Sequence, residues 1–406
     1  MSAYSCEPGK GSEPEVGWQW AINLARHHDL TVITRRNNAD AIRARLADLP
    51  RPHPQFLFYD LPELLQRWKK TWLPVAVYYL IWQAAVRWRF RKHLVQFDLI
   101  HHVTFNSFRQ PGFWWFCPVP VVLGPLGGGQ IYPWRFLPLM KRRWFAEVVR
   151  SITVCLSPLL PHLWLSFASA SIILVANRDT EKRVPGVFGR KLRRMLETGI
   201  ARRFIRNPSG AQNDPNVRVI WLSWLDEIKA PELIVRGLAA ARQQEPGLTL
   251  SMIGDGPLQS NLRELAARLG VAEAISWTGR VPHAEVMELM ARHHIFAFTS
   301  LRDTSGNVLL EAMAVGLPAI TLRHHGAAEI ATDDTAIRIE PLSISQTIAE
   351  LGEAMVRLAR SPQLRYSLGE AARRRVAQVF AWEKKALEMS ALYEEVVAVK
   401  SSARLP

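Results

Sequence analysis

The chain has 406 residues, 48% of them hydrophobic, with no low-complexity tract, which excludes a disordered or fibrous protein and leaves room for two domains with separate cores. Lys and Arg number 51 against 36 Asp and Glu, a net charge of +15, and 15 tryptophans accompany them, so a negatively charged partner is expected: nucleic acid, anionic lipid or a phosphorylated substrate. Cys6, Cys117 and Cys155 are too few and scattered for a disulfide framework or a zinc site, and Met1 to Pro8 lacks the basic start and apolar core of a signal peptide, so the expected location is cytoplasmic.

Ser2 to Cys6 reads as the tail of a strand that is either short or has lost its beginning upstream of Met1. A glycine-bearing loop, Glu7 to Gly17, follows, then a helix over Trp18 to His28 and a strand over Leu30 to Thr34. This is a βαβ opening, and the loop after its first strand is where α/β sheets place ligand-binding groups, which makes Gly11 and Ser12 candidates.

From Glu63 to Phe97 aromatic and aliphatic residues recur at three and four, predicting a helical stripe that Pro74 kinks or restarts. Its uncharged centre, Trp72 to Val86, falls short of the roughly 20 residues that span a bilayer. Two readings fit. In one the helix lies among lipid headgroups, with Trp68, Lys69, Lys70, Trp72, Trp82, Arg87, Trp88, Arg89, Arg91 and Lys92 at the membrane. In the other it is a core helix with a solvated basic face. The cluster Lys141-Arg-Arg-Trp144 favours membrane contact.

Asp98 to His102 and Pro118 to Leu123 read as strands, the second running into the loop Gly124-Pro-Leu-Gly-Gly-Gly129. His101 and His102 at a strand end are candidate proton carriers or structural histidines. The uncharged run Ser151 to Asn177 contains Pro158, Pro161 and several serines, which argue for a loop and helix rather than a membrane span, followed by a strand over Ile172 to Ala176.

Turn-forming residues across 207–216 predict a linker between a first domain, 1–206, and a second, 217–380, with a last helix over 381–406. The second domain alternates strands (Val217 to Ser223, Leu248 to Ile253, Ile275 to Trp277, Ile295 to Thr299, Ala319 to Leu322, Ala336 to Ile339) with helices. Two doubly wound domains facing a cleft are therefore expected. Within the second, Asp303 to Asn307 has loop chemistry and Val308 to Val315 a helical apolar face closed by Gly316 and Pro318. Free amides at that helix start would hold an anion, most simply a phosphate; an ordinary well-capped strand-loop-helix is the plainer reading.

These residues, taken in order, resemble the retaining glycosyltransferases of family 4, which have the GT-B architecture. That family carries a Glu, seven intervening residues and a second Glu, then Ala-Met-Ala and Gly-x-Pro; here Asp303 takes the first place and Glu311-Ala-Met-Ala314 with Gly316-Leu-Pro318 the rest. Lys229, Gly254-Asp-Gly-Pro257, Thr278-Gly-Arg-Val-Pro-His283 and Gly326-Ala-Ala-Glu329 follow the family order, and Gly9 to Pro14, Gly124 to Gly129 and Glu197-Thr-Gly-Ile200 resemble bacterial polysaccharide-assembly members.

The resemblance implies metal-independent transfer of a hexosyl group, with retention, from a nucleoside diphosphate sugar to a lipid-linked or glycan acceptor at the inner membrane face. No cofactor is implied. It assigns Lys229, Asp303 and Glu311 to catalysis, and Ser305, Gly306, Asn307, Val308, Gly254, Arg280, Gly11 and Ser12 to the donor. It also implies C-terminal helices that cross back to the first domain. Three positions depart from the pattern: Trp224 replaces a common Arg, Gly124 a usual His, and Asp303 a Glu. A catalytically silent scaffold that binds membrane or a partner enzyme is the alternative. A dinucleotide fingerprint after a first strand and a nucleic-acid reading module are both missing.

Overall fold

Two parallel sheets organise the chain, their inner strands short runs of β-branched and aromatic residues buried on both faces, as parallel sheets covered by helices require. The computed structural model describes residues 1–71, 74–103, 105, 107–206 and 216–402. In chain order the elements begin β1 (Ser2–Ala3), α1 (Ser12–Leu24), β2 (Thr31–Thr34), α2 (Ala39–Ala47), β3 (Gln55–Phe58), α3 (Glu63–Thr71) and α4 (Val75–Phe90). They continue β4 (Ile100–Val103), β5 (Val121–Leu126), α5 (Trp144–Leu156), α6 (Pro161–Ser169), β6 (Ile172–Val175), α7 (Arg178–Glu181) and β7 (Leu192–Arg194). After these come β8 (Arg218–Leu222), α8 (Pro231–Arg242), β9 (Thr249–Ile253), α9 (Gln259–Arg268), β10 (Ile275–Gly279), α10 (His283–Ala291), β11 (Ile295–Phe298) and α11 (Asn307–Ala314). The last are β12 (Ala319–Leu322), α12 (His325–Ile330), β13 (Ala336–Ile339), α13 (Ile344–Arg360), α14 (Pro362–Arg375) and α15 (Trp382–Ser402).

The first sheet has the order β3-β2-β1-β4-β5-β6-β7 and the second β10-β9-β8-β11-β12-β13. Each reverses direction of growth once, between β1 and β4 and between β8 and β11, and these reversals are where doubly wound sheets bind ligands. Each unit is thus the doubly wound, Rossmann-like sheet that the sequence leads one to expect.

The strands foreseen in the second series all form, within two residues at each end. Two edge strands of the first sheet escape a periodicity reading. β3 alternates exposed and half-buried residues, and β7 is the charged Leu192-Arg-Arg194, as unprotected edges tend to be. β5 also extends past Leu123, so the expected loop starts later. Gly124 lies inside the strand at φ +101°, where an added Cβ would stand 2.3 Å from the Leu174 carbonyl oxygen.

The boundaries differ from a division at residue 206. One unit comprises Met1–Gly129, Thr153–Glu197 and the residues from Trp382 onward; the other comprises Gln130–Ile152 and Thr198–Ala381. The excursion 130–152 belongs to the second unit because Tyr132, Phe136 and Met140 are buried in the same apolar cluster as Trp221 and Leu225. The last helix, α15, belongs to the first unit, where Trp382, Ala386 and Met389 share a core with Trp20, Ala21 and Leu24 of α1. Residues 207–215, most of the expected linker, lie outside the described residues.

Candidate active site

The loops after β8 and β11, on either side of the second sheet's reversal, are tied together before any side chain enters the site. Trp221 Nε1 donates to Thr299 Oγ1 (2.9 Å), Thr299 Oγ1 donates to the Lys229 carbonyl (2.9 Å), and the Leu301 amide donates to the Ile228 carbonyl (2.9 Å). The Asp226 carboxylate accepts the amides of Ile228 and Lys229, both at 3.0 Å, folding the first loop back on itself. Ala230, held in the left-handed region at φ 47°, then hands the chain to Pro231 at the start of α8. This lattice aims Lys229 at the neighbouring loop, where its Nζ lies 2.5 Å from Asp303 Oδ2 with both side chains about three-quarters covered. A short, charge-assisted bond at the strand ends is the core of the site.

Beyond Asp303 the chain makes a left-handed turn at Gly306 (φ 91°) and enters α11. A Cβ there would sit 2.9 Å from Cζ of Phe298, so the position needs glycine for both space and backbone angle. The leading amides of α11, those of Asn307 and Val308, have no partner within the helix and point along its positive end. Ser305 Oγ, buried, donates to Asn307 Oδ1 at 3.3 Å and steadies the entry. Glu311, a turn further on, is buried and lies 2.9 Å from Nε2 of His283, the first residue of α10.

The structure brings together Lys229, Asp303 and the head of α11, with Glu311 one turn into that helix. Gly254 and Arg280 follow β9 and β10, one and two strands out from β8 along the same edge. Gly254 donates its amide to Gly279 (2.8 Å), while Arg280 is exposed. Trp224, in the place of the family's arginine, is exposed as well.

Several partners were invisible in the sequence. Glu227 is buried and accepts the amides of Lys141, Arg142 and Arg143 at 2.9, 2.9 and 3.2 Å. Arg302, beside Asp303, pairs with Glu147 of α5 at 3.5 Å. His324 Nε2 donates to the Ser300 carbonyl at 2.9 Å. Only His283 had a signal, its place in the Gly-Arg-Val-Pro-His stretch; the others depend on contacts between distant segments.

In the first unit, Gly11 (φ 68°) and Ser12 (φ 52°) form the strained entry to α1, and Gly9 donates its amide to Glu15 (2.6 Å). Burial, reinforced by nearby Glu197, pushes the neighbouring Glu13 carboxyl up to about 7. Of the two readings of His101 and His102, the structure favours the structural one over proton carriage: both are core residues, each 2% exposed. His101 Nε2 donates to the Gly124 carbonyl (2.6 Å) and its Nδ1 accepts from the Tyr393 hydroxyl (2.5 Å). His102 Nδ1 donates to Ser2 Oγ (3.2 Å), and its Nε2 accepts from Gln83 (3.2 Å). Burial holds both imidazoles down at about 3, and therefore neutral.

The tryptophan-rich stretch is corrected in part. Trp82 is fully buried and donates to the Tyr59 carbonyl (3.0 Å), because α4 turns its aromatic stripe into the core. Lys69 donates to the Tyr4 hydroxyl (3.0 Å), and the half-buried Arg87 reaches the Trp115 carbonyl (3.4 Å). Trp68, Trp88, Arg89, Arg91 and Lys92 are exposed. Trp72 and the Lys70 side chain lie outside the described residues.

A family model described as glycosyl transferases group 1 matches residues 201–375. Among curated relatives, a GDP-mannose-dependent alpha-(1-6)-phosphatidylinositol monomannoside mannosyltransferase of Mycolicibacterium smegmatis is 25% identical over 55% of this chain and 62% of its own length. The phosphatidylinositol N-acetylglucosaminyltransferase gpi3 subunit of Schizosaccharomyces pombe is 28% identical over 32% of this chain and 28% of its own. The chain thus spans less than two thirds of these relatives. Among solved structures, Anabaena HepE in complex with UDP and glucose superposes with a TM-score of 0.59 over 97% of this chain and 99% of its own, at 16% identity. The sucrose-phosphate synthase of Thermosynechococcus elongatus gives 0.60 over 96% and 94%, at 17% identity. At such identities the likeness speaks for the fold.

Proposed function

We propose that the protein, whose residues 201–375 match the family model of the group 1 glycosyl transferases, is a retaining, metal-independent glycosyltransferase. It moves a sugar from a nucleoside diphosphate to a lipid-linked or polysaccharide acceptor at the cytoplasmic face of the membrane. The observation that carries this reading is the Lys229–Asp303 pair beside the open amides of α11. Lys229 and those amides supply positive charge and fixed donors where the departing diphosphate gathers negative charge. Glu311 accepts hydrogen bonds from the ribose, and Asp303 from sugar hydroxyls.

In the transfer, the acceptor hydroxyl oxygen bonds to the anomeric carbon on the face from which the diphosphate leaves. The carbon–oxygen bond to the diphosphate breaks, and the hydroxyl proton passes to the departing phosphate oxygen. The lipid-linked acceptor is supported by the phosphatidylinositol-modifying relatives.

The test is thermal stabilisation by a panel of UDP-, GDP- and ADP-sugars, followed by turnover of the one that binds. Lys229→Ala should lower kcat/KM by about 100-fold or more. Full turnover by that variant would remove the lysine from the mechanism. A wild-type chain stabilised by no nucleotide sugar would favour the silent scaffold.

A further inference from the structure

Helix α5 is built inside out. Glu147, 5% exposed, and Val154 face inward, with Arg150 and Ser151 half-buried beside them. The outward side carries Trp144 (52% exposed), Phe145 (65%), Val149, Ile152 and Leu156. Positions 144, 145, 149, 152 and 156 fall on one side of a 3.6-residue helix, so this is a continuous apolar face and not scattered exposure. A helix bordering water shows the reverse pattern.

Charge at its start is inverted as well. Lys141, Arg142 and Arg143 are exposed just ahead of the helix, at the end where the dipole disfavours cations. The Glu227 carboxylate nevertheless fixes their backbone through all three amides. Three cationic residues whose backbone is held next to an outward Trp-Phe pair match one environment: anionic headgroups over an apolar interior. At 13 residues the helix is about 20 Å long, short of the roughly 30 Å hydrocarbon core, so it fits lying in the plane of a bilayer.

We propose that α5 is the element that seats the protein on an anionic lipid bilayer, with its apolar face below the phosphates and Lys141, Arg142 and Arg143 upon them. The proposal rests on the membrane-side acceptor of the preceding section and names the surface that serves it. Its inward contacts give it purpose. Glu147 pairs with Arg302, next to Asp303, and Glu227 adjoins Asp226, whose carboxylate shapes the Lys229 loop. The two loops of the donor site are therefore anchored to the segment that meets the lipid.

The experiment is co-sedimentation of the full chain with phosphatidylglycerol-containing vesicles. Trp144→Ser, Phe145→Ser and Ile152→Ser together should lower partitioning by about tenfold or more. Glu replacements at 141, 142 and 143 should weaken it at low salt and remove most of its salt dependence. Cys155 is an exposed free thiol on the same helix, so in a Cys117→Ser background a polarity-sensitive label there should shift to the blue on vesicle binding. That readout decides the matter even if the triple variant misfolds.

Undiminished partitioning of a folded triple variant overturns the proposal, as does a label indifferent to vesicles that the protein binds. A concentration-dependent dimer abolished by the triple variant, with no vesicle binding, overturns it in favour of a second copy of the chain. Vesicle binding by a chain that binds no nucleotide sugar would sink the transferase reading and leave this one standing; the opposite pair of results would do the reverse.

Discussion

Helices α4 and α5 are both rich in aromatic and basic residues, yet they are oriented oppositely. α4 buries Tyr78, Tyr79, Trp82 and Val86 and leaves Arg89 to the solvent, whereas α5 buries Glu147 and exposes Trp144 and Phe145. In sequence, spacing and composition made the stretch from Glu63 to Phe97, which holds α3 and α4, either a membrane-contacting helix or a core helix. The difference teaches that a stripe tells which residues share a side, while the partner across from that side decides whether it is core or contact surface. For α4 the partners are Tyr4, Tyr59 and His102; for α5 they are Arg302 and its own Arg150.

The contrast can be broken or sharpened by four measurements. Trp82→Ala removes a fully buried ring from α4 and should cost about 3–5 kcal/mol by chemical denaturation, a large fall in Tm; a negligible change would mean that α4 is not core. Glu147→Ala leaves Arg150 and Arg302 facing each other on the inner side of α5. Both partners are partly solvated, so the expected loss is about 2–3 kcal/mol, below that of a wholly buried pair.

Acid should act on the side of α4. His102 is neutral in the fold at about 3 but has an ordinary value of 6.5 when unfolded, so below pH 6.5 the unfolded chain binds the extra proton. Stability is full above pH 6.5 and falls as the pH drops toward 3, by about 2 kcal/mol at pH 5 for this residue. Comparing wild type with His102→Gln across pH 7 to 5 should show a shallower slope in the variant. An unchanged slope would mean another group titrates. The smallest effect belongs to Trp144→Ser with Phe145→Ser, which should shift stability in vesicle-free buffer by no more than about 0.5 kcal/mol. A loss of several kcal/mol would show that the outward face of α5 is packed in the native protein.

The second unit was the more legible because its chemistry is local. Asp303, Gly306 and Glu311 lie within one strand-loop-helix, and the spacing alone places them together. Lys229 was reachable only through the resemblance, since its loop comes from another strand. The two histidines were left between two readings because a strand end looks alike in sequence whether it opens to solvent or is covered. Here the cover is Tyr393, almost 300 residues away, and no pattern near His101 announces it. α5 was hidden for a related reason: its inner face is polar, so its periodicity points away from the protein's core.

The return of α15 to the first unit has a consequence for how the chain is made. Tyr393 closes on His101, Trp382 meets Trp20 edge to face at 5.2 Å, and Lys385 donates to the Leu196 carbonyl at 2.5 Å. On the ribosome, every residue of the second unit is synthesised before these closing groups emerge. The half that begins first is thus completed last. A nascent chain stalled near residue 381 should hold a protease-resistant second unit alongside a first unit still open to cleavage around Trp20, and equal protection of both would contradict that order of assembly.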